Sequence, residues 1–426
     1  MRQLLRWTLL TAAAVGSSIS IAPAQSLISQ TAASRYGLSR AWYAQVGSPR
    51  ATGTLKHVEY DEGMVLAQSS RGMLTAIDAE TGRTLWATQV GPRDRSSTEP
   101  AANEKYIVVL NGSTLYVVNR AAGDIAWQRQ VRGAPGAGAG VTRTHAFVPI
   151  ITGLIEGYEL EKGAGQSPWH YQSSGRVLTP PMTTESTVSW TTDLGYFYVA
   201  DPAGDGIRYR LETRGEIHAR PGSWSPRLFA GSADGYVYAI NENEGSVAWE
   251  FPAGEAIYEP PVAIEDRVFV VTQFDGMYCL DADDGRPLWH AANVSQFVAV
   301  SPSRVYVANR VGGLSILDVQ GGALRATMPL DGITTKVVNS RSDRIFLVND
   351  SNVIQCLHET PLKSPVVYTP PPPPEKPEVK LKPREPKAPE EAPADPFEEP
   401  PSEDAFETDS PQEADEEVEN PFGNAP

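Results

Sequence analysis

Short runs of β-branched and aromatic residues alternate along most of this chain with polar turns that contain glycine. Typical runs are residues 106–110 (YIVVL), 236–240 (YVYAI) and 267–271 (RVFVV). Turns such as NGS at Gly112 and ADG at Gly235 separate such runs. Asn-Gly and Asp-Gly accept positive φ at low cost, so they are strong hairpin signals. The pattern predicts a chain of short antiparallel strands.

One phrase recurs about every 40 residues: a strand, an acidic or amide residue, a polar turn ending in glycine, and then tryptophan. The turn glycines of the clear copies are Gly82, Gly123, Gly165, Gly245 and Gly285, and the tryptophans are Trp86, Trp127, Trp169, Trp249 and Trp289. A period of this length is typical of repeat arrays and propellers. Each copy contains a second glycine turn about ten residues upstream. Each repeat unit is therefore predicted to form one blade of four antiparallel strands.

Weaker copies and the two ends complete the repeat. Gly206 with Tyr209 falls between the clear copies, and Gly322 with Ala326 follows the last of them. The final unit, residues 343–359, has no Gly-Trp strand, whereas residues 40–47 at the front contain Trp42 in the tryptophan register. Joining these ends protects sheet edges. We therefore predict an all-β fold, an eight-bladed propeller of four-stranded antiparallel blades closed by an N-terminal outer strand.

The repeat residues themselves have a structural explanation. The turn glycine suits the left-handed conformation, and the acidic side chain can cap turn amides. Tryptophan four residues after the glycine falls on the outer strand. There it can cover the seam to the next blade and donate its N–H to a loop carbonyl. We therefore interpret these residues as structural rather than as a ligand site.

The two ends of the chain differ in composition from the repeats. Residues 1–24 have a basic start, a short apolar run and an Ala-x-Ala site, so they predict a secretory signal cleaved after Ala24; a membrane anchor is the alternative. Residues 25–38 are a lead-in, and 39–360 the propeller. Residues 361–426 contain 17 acidic and 6 basic residues and half of the prolines, which predicts a disordered tail. About −11 of the net charge of −16 belongs to it.

The sequence contains few candidates for catalytic or metal-binding residues. The two cysteines, Cys279 and Cys356, fall on equivalent strands of blades that are not neighbours, so we expect buried free thiols rather than a disulfide. The six histidines are scattered. Glu99, Glu185, Glu259 and Asp266 lie near inner strands and are candidates to face the central channel. The acidic charge and the lack of a basic stretch argue against nucleic-acid binding. We expect no metal, cofactor or catalytic residue.

Residues 235–251 (GYVYAINENEGSVAWEF) and 276–289 (GMYCLDADDGRPLW) resemble the pyrroloquinoline-quinone-like propeller repeat. The resemblance covers residues 40–359 and implies the propeller fold. Three branches share the repeat: quinoprotein dehydrogenases, BamB-type scaffolds of outer-membrane β-barrel assembly, and some sensor-kinase ectodomains. Membership of the dehydrogenase branch would imply a pair of adjacent cysteines and long inserted loops around the cofactor. This chain has two distant cysteines and short, regular loops.

We therefore predict an exported, non-catalytic propeller of the periplasm or cell envelope, closest in character to BamB-type scaffolds. Its expected partners are envelope proteins or components, with no transmembrane segment in the mature chain and a monomeric ring. A quinone-dependent oxidoreductase is the first alternative. A carbohydrate-binding propeller is the second, with Trp190 and Trp224 as candidate aromatic platforms because they lie outside the repeat register.

Overall fold

The computed structural model of the protein describes residues 27–204 and 206–372. The predicted signal peptide, its cleavage after Ala24 and residues 373–426 of the predicted tail lie outside these residues. The described lead-in contains a short helix, α1 (Gln30–Ser34), and a second one, α2 (Pro49–Thr52), follows the first strand. Almost everything else is β-structure, as the alternation of apolar runs and glycine turns predicts.

Eight four-stranded antiparallel sheets form the fold. Blade 1 contains β2 (Leu55–Asp61), β3 (Met64–Ser69), β4 (Met73–Asp78) and β5 (Thr84–Gln89), and blade 2 contains β6 (Ala101–Ala102), β7 (Tyr106–Asn111), β8 (Thr114–Asn119) and β9 (Ile125–Gln130). Blade 3 contains β10 (Gly140–Val141), β11 (His145–Pro149), β12 (Leu154–Glu159) and β13 (Trp169–Gln172), and blade 4 contains β14 (Met182–Thr183), β15 (Val188–Thr191), β16 (Tyr196–Ala200) and β17 (Ile207–Glu212). Blade 5 contains β18 (Gly222–Trp224), β19 (Arg227–Gly231), β20 (Tyr236–Asn241) and β21 (Val247–Pro252), and blade 6 contains β22 (Val262–Ile264), β23 (Arg267–Val271), β24 (Met277–Asp281) and β25 (Pro287–Ala291). Blade 7 contains β26 (Val294–Val300), β27 (Arg304–Asn309), β28 (Leu314–Asp318) and β29 (Leu324–Met328), and blade 8 contains β30 (Ile333–Lys336), β31 (Ile345–Asn349), β32 (Val353–Glu359) and β1 (Leu38–Gln45). The predicted eight-bladed propeller is confirmed.

The N-terminal strand closes the ring, as predicted. β1 pairs antiparallel with β32 from Leu38 opposite Glu359 to Gln45 opposite Val353. Blade 8 is therefore built from both ends of the propeller sequence. Leu38 and Trp42 of this strand are buried, so the closure includes apolar packing as well as main-chain hydrogen bonds.

Connections at the two ends of the blades define two faces of the ring. The Asp-turn face contains the turns between first and second strands and between third and fourth strands, such as the turn at Gly82. The linker face contains the hairpins between second and third strands, such as the one at Gly72, and the links from each blade to the next. Backbone hydrogen bonds join the connections of each face, for example Ala79 N–H to Gly63 O and Val90 N–H to Gly72 O.

The repeat tryptophans lie at the seams between blades. Five of them donate their indole N–H to a backbone carbonyl in the Asp-turn of the next blade, at 2.8–3.1 Å. The pairs are Trp42 to Ala79, Trp86 to Arg120, Trp127 to Leu160, Trp249 to Ala282 and Trp289 to Val319. The predicted seam role thus has a specific geometry: each ring packs on a neighbouring turn and satisfies its polar atom there.

The turn glycines explain how the indole rings come so close. Gly82 has φ +71°, and a Cβ atom there would lie 2.6 Å from the Trp42 ring, so both the conformation and the contact require glycine. The same relation holds at Gly123, Gly245, Gly285 and Gly322, each of which faces the ring of the preceding blade.

The structure differs from the sequence prediction at two turn glycines. Gly163, not Gly165, has positive φ and faces Trp127, because an extra 3-10 turn (Gly163–Gly165) separates the glycine from the tryptophan. In the next blade Gly204, not Gly206, approaches the Trp169 ring. Counting back from the repeat's aromatic residue, Trp169 or Tyr209, therefore misplaced both glycines.

The two weak copies keep their seams closed by other means. The Tyr209 hydroxyl donates to Glu242 O at 2.7 Å, so this tyrosine takes the place of tryptophan. Ala326 leaves a gap in the tryptophan register, and Ile28, Ala33 and Tyr36 of the lead-in pack in the same apolar cluster. The lead-in is thus part of the folded propeller.

The propeller extends beyond the predicted boundary at residue 360. Residues 361–372, which we call the strap, pack across the Asp-turn face. Val367 bridges to Ser342, the Tyr368 N–H donates to Arg341 O, and the Tyr368 ring is buried in the cluster shared by blades 6 and 7. The predicted start of the tail at residue 361 therefore differs from the structure. The proline-rich composition of this segment obscures the packing residues within it, Val366, Val367 and Tyr368.

Both cysteines are buried free thiols, as expected. Burial raises the pKa of Cys279 to about 12 and raises that of Cys356 as well. A thiol that stays protonated is a poor nucleophile and a poor metal ligand. Each cysteine belongs to an apolar cluster between neighbouring blades.

Candidate functional site

The first strands of the blades surround a central cavity of about 560 Å³. Its lining includes Glu59, Val141, Met182, Val262 and Phe297, contributed by five different blades. A proline pair at the start of an inner strand, Pro260 with Pro261, also lines it. Pro370 of the strap lines the cavity too, so the strap ends at the channel.

Charges of both signs line this channel. Acidic Glu59 and Glu99 face it together with Arg220, whose guanidinium donates to Pro181 O. Burial raises the pKa of Glu59 to about 7, although the Arg220 charge opposes that rise. Burial also lowers the pKa of Arg220. The channel is therefore a costly environment for ionised groups.

Two of the four candidate channel acids line the cavity. Glu99 does so and lies 3.6 Å from His57, and Glu259 also lines it. Glu185 and Asp266 are absent from this lining; Asp266 lies 3.5 Å from Arg267. Within residues 27–204 and 206–372, no group of three or more His, Cys, Asp or Glu side chains is arranged to hold a metal ion.

The aromatic platforms proposed for carbohydrate do not form an exposed pair. Trp190 is completely buried, its N–H donates to the Ser173 hydroxyl at 2.8 Å, and its ring stacks on Tyr198. Trp224 is partly buried against the apolar clusters of blades 5 to 7 and lines the channel. Both residues therefore act mainly in packing.

The linker face carries an arc of exposed apolar side chains from blade 3 to blade 7. Leu194, Phe274 and Val311 project from second-to-third-strand hairpins and are 60%, 67% and 91% exposed. The arc consists of Ile151, Leu178, Leu194, Tyr258, Phe274 and Val311. Large exposed apolar side chains on one face of a fold are of the kind that marks interaction sites. Sequence analysis missed the arc because an apolar residue in a turn does not reveal which others lie beside it.

Polar contacts hold the arc in position. The Arg176 side chain binds Asp193 at 2.7 Å beside Leu194, and the Asp193 pKa stays low because these hydrogen bonds outweigh its partial burial. The Glu255 carboxylate accepts hydrogen bonds from the backbone N–H groups of Phe274 and Asp275 at 2.7 and 2.8 Å. These acidic groups are thus engaged within the ring, and the apolar side chains beside them remain exposed.

A separate group of linker-face arginine side chains lies over blades 1 and 2. Arg50, Arg71, Arg93 and Arg95 are all exposed there. The linker face therefore has an apolar sector and a basic sector, although the chain as a whole is acidic. Within the described residues, no helix has the length and apolar character required to cross a bilayer.

Comparison with known families and structures agrees with this architecture. The family model described as "Outer membrane protein assembly factor BamB" matches residues 32–154 and 190–360. The matched ranges include the closing strand and all eight blades, at least in part. The likeness therefore extends over the ring rather than over one repeat.

Individual relatives have the same printed name. Outer membrane protein assembly factor BamB of Shewanella oneidensis is 25% identical over 210 residues, 42% of this chain and 52% of that protein, so the match spans about half of that relative. BamB of Escherichia coli strain K12 is 22% identical over 362 residues, 76% of this chain and 90% of that protein. The crystal structure of BamB from Moraxella catarrhalis matches with a TM-score of 0.61 at 15% identity, covering 75% of this chain and 99% of that one, which supports the fold.

Proposed function

The chain belongs to the family of outer membrane protein assembly factor BamB, and from this premise we propose that it is a non-catalytic scaffold in the assembly of outer-membrane proteins. The linker-face arc is the observation that carries the proposal for how it works. We propose that the arc, with Leu194, Phe274 and Val311 as its most exposed members, is a docking surface for another protein of the assembly machinery.

The physical properties of the arc suit protein binding. Large apolar side chains at its centre lose water contact on docking, and the engaged carboxylates around them supply a polar rim. Rigid hairpins keep the ordering cost small. The outer strands of the blades expose apolar residues as well, among them Leu85 and Leu324, but these lie on the outer rim of the ring and not on the linker face.

Two predictions from the sequence belong with this proposal. Export through residues 1–24 with cleavage after Ala24 would deliver the propeller to the periplasm, where an outer-membrane assembly factor acts. A monomeric ring would leave the linker face available to a partner. The quinone-dependent and carbohydrate-binding alternatives are less favoured, because the relatives are assembly factors and Trp190 is buried.

Introduction of negative charge on the arc tests the proposal. We expect the double variant Leu194→Glu/Phe274→Glu to remain folded, since both side chains are exposed, and to lose affinity for its assembly partner about 30-fold or more, as at an interface hot spot. The measurement is co-purification from cross-linked cell envelopes, with the captured outer-membrane assembly proteins identified by mass spectrometry.

The matched control is Leu85→Glu/Leu324→Glu, which introduces the same charge at exposed leucines of the outer strands. The control is expected to retain the partner. Equal capture by both double variants and the unmodified chain would contradict the proposed docking surface.

A further inference from the structure

The linker-face arginines over blades 1 and 2 form one compact patch. The Arg71 guanidinium donates to Arg50 O at 2.6 Å. The Asn111 amide donates to Arg95 O and Pro92 O and also lies beside Gly72, so it joins the Arg71 hairpin to the link that bears Arg93 and Arg95. We call Arg50, Arg71, Arg93 and Arg95 the arginine patch.

No carboxylate of the described residues neutralises the arginine patch through an ion pair. No ion pair within the described residues involves Arg50, Arg71, Arg93 or Arg95, whereas arginines such as Arg120 and Arg176 bind carboxylates. Asp94 lies between Arg93 and Arg95 in the sequence, so the four arginines and this aspartate together carry a formal charge of +3 in a chain of net charge −16. Mutual repulsion between exposed arginines favours binding of an anion.

The surroundings of the patch favour a lipid surface over a protein. Protein interfaces have an apolar centre, but every large exposed hydrophobic side chain of the described linker face belongs to the arc. The links around the arginines consist mostly of small and polar residues, including Gly47, Ser48, Gly91 and Ser96. Such a surface binds through charge, and guanidinium groups match phosphate oxygens in geometry as well as in sign.

We propose that the arginine patch binds the headgroups of anionic phospholipids and thereby turns the linker face of the propeller toward a membrane. This deepens the proposed function and rests on it for the biological setting: lipid binds over blades 1 and 2 while the protein partner binds over blades 3 to 7. A propeller held in this way presents its apolar arc to a partner at the membrane surface.

Flotation with lipid vesicles tests the proposal. We expect the full-length protein to bind vesicles of phosphatidylglycerol with phosphatidylethanolamine, and not vesicles of phosphatidylcholine alone. Binding should weaken as salt is added, because salt screens exposed charges. Since one arginine near an anionic surface contributes about fivefold to binding, Arg93→Ala/Arg95→Ala should lower the partition coefficient about 25-fold. Asp94→Asn should raise it.

Matched variants distinguish lipid binding by the arginine patch from a general effect of charge on the whole protein. Arg83→Ala/Arg143→Ala removes the same charge from the Asp-turn face and should leave vesicle binding unchanged. Leu194→Glu/Phe274→Glu places two acidic residues on the arc, so a small electrostatic loss is expected there, well below that of the arginine variant. Displacement by inorganic phosphate at low concentration would assign the patch to free phosphate instead. No vesicle binding, or equal loss in both arginine double variants, would overturn the lipid proposal without affecting partner capture by the arc.

Discussion

Truncation of the chain after Glu359 is expected to destabilise the propeller strongly, whereas truncation after Pro372 is expected to leave its stability unchanged. The first cut removes the strap and the second retains it. The composition of residues 361–426 suggests that the two cuts are equivalent, so this prediction separates the structure from the sequence boundary.

The reason lies in a buried ion cluster beneath the strap. The Arg344 side chain is 2% exposed and donates to Asp343, to Glu80 of blade 1 and to the carbonyl groups of Leu362 and Lys363. Burial raises the pKa of Asp343, and the Val366 N–H opposes that rise by donating to its carboxylate. Loss of the strap leaves these charges with fewer partners, which is costly in a buried site.

Burial of Tyr368 adds to the effect. Its ring packs between blades 6 and 7, so its loss opens an apolar cavity and costs about 3–5 kcal/mol in the free energy of unfolding by analogy with large core aromatics. Thermal unfolding followed by circular dichroism measures the difference between the two truncations. Tyr368→Ala in the full chain should reproduce much of it, while the neighbouring Val367→Ala, at an exposed side chain, should change little. Equal unfolding midpoints for both truncations would contradict the role of the strap.

Removal of β1 is expected to abolish the closed monomer. A chain that begins at Gly47 exposes the edge of β32, a strand whose residues are almost all buried in the intact ring. An unpaired apolar edge recruits other strands, so the truncated chain should form oligomers or aggregates. Size-exclusion chromatography with light scattering measures this, and addition of a peptide of residues 27–47 should restore monomer.

A point variant tests the same closure more gently. Trp42→Ala removes the ring that packs on Gly82 and the indole N–H that binds Ala79 O, so a loss of about 3–5 kcal/mol is expected. Tyr43→Ala, at the next and half-exposed position, is the control and should cost little. A monomeric, equally stable protein without β1 would show that the ring does not depend on this strand.

Much of the fold could be predicted from the sequence because the same packing pattern recurs in each repeat. The Trp register predicted both the seam position of the indole ring and its bond to a loop carbonyl. It also identified Trp42 as part of the missing strand. The register failed where local insertions intervened, at Gly163 and Gly204, because φ depends on the turn actually formed.

The candidate surfaces were less accessible, since they depend on which connections the ring brings together. Leu194 and Phe274 lie 80 positions apart in the chain and on one face of the fold. Arg344 gives no sequence signal of burial, and Tyr368 is a single aromatic residue within a proline-rich stretch. Neither residue belongs to the repeat pattern, so only the three-dimensional contacts reveal the strap.

The central claim is that the linker-face arc contacts the outer-membrane protein assembly machinery, and site-specific photocrosslinking in intact cells tests it most directly. A crosslinking amino acid at position 194 is compared with the same amino acid at position 324 on the outer rim. We predict a specific crosslink from position 194 to an outer-membrane protein assembly component and none to that component from position 324. Capture of that component from position 324 but not from position 194 would contradict this claim.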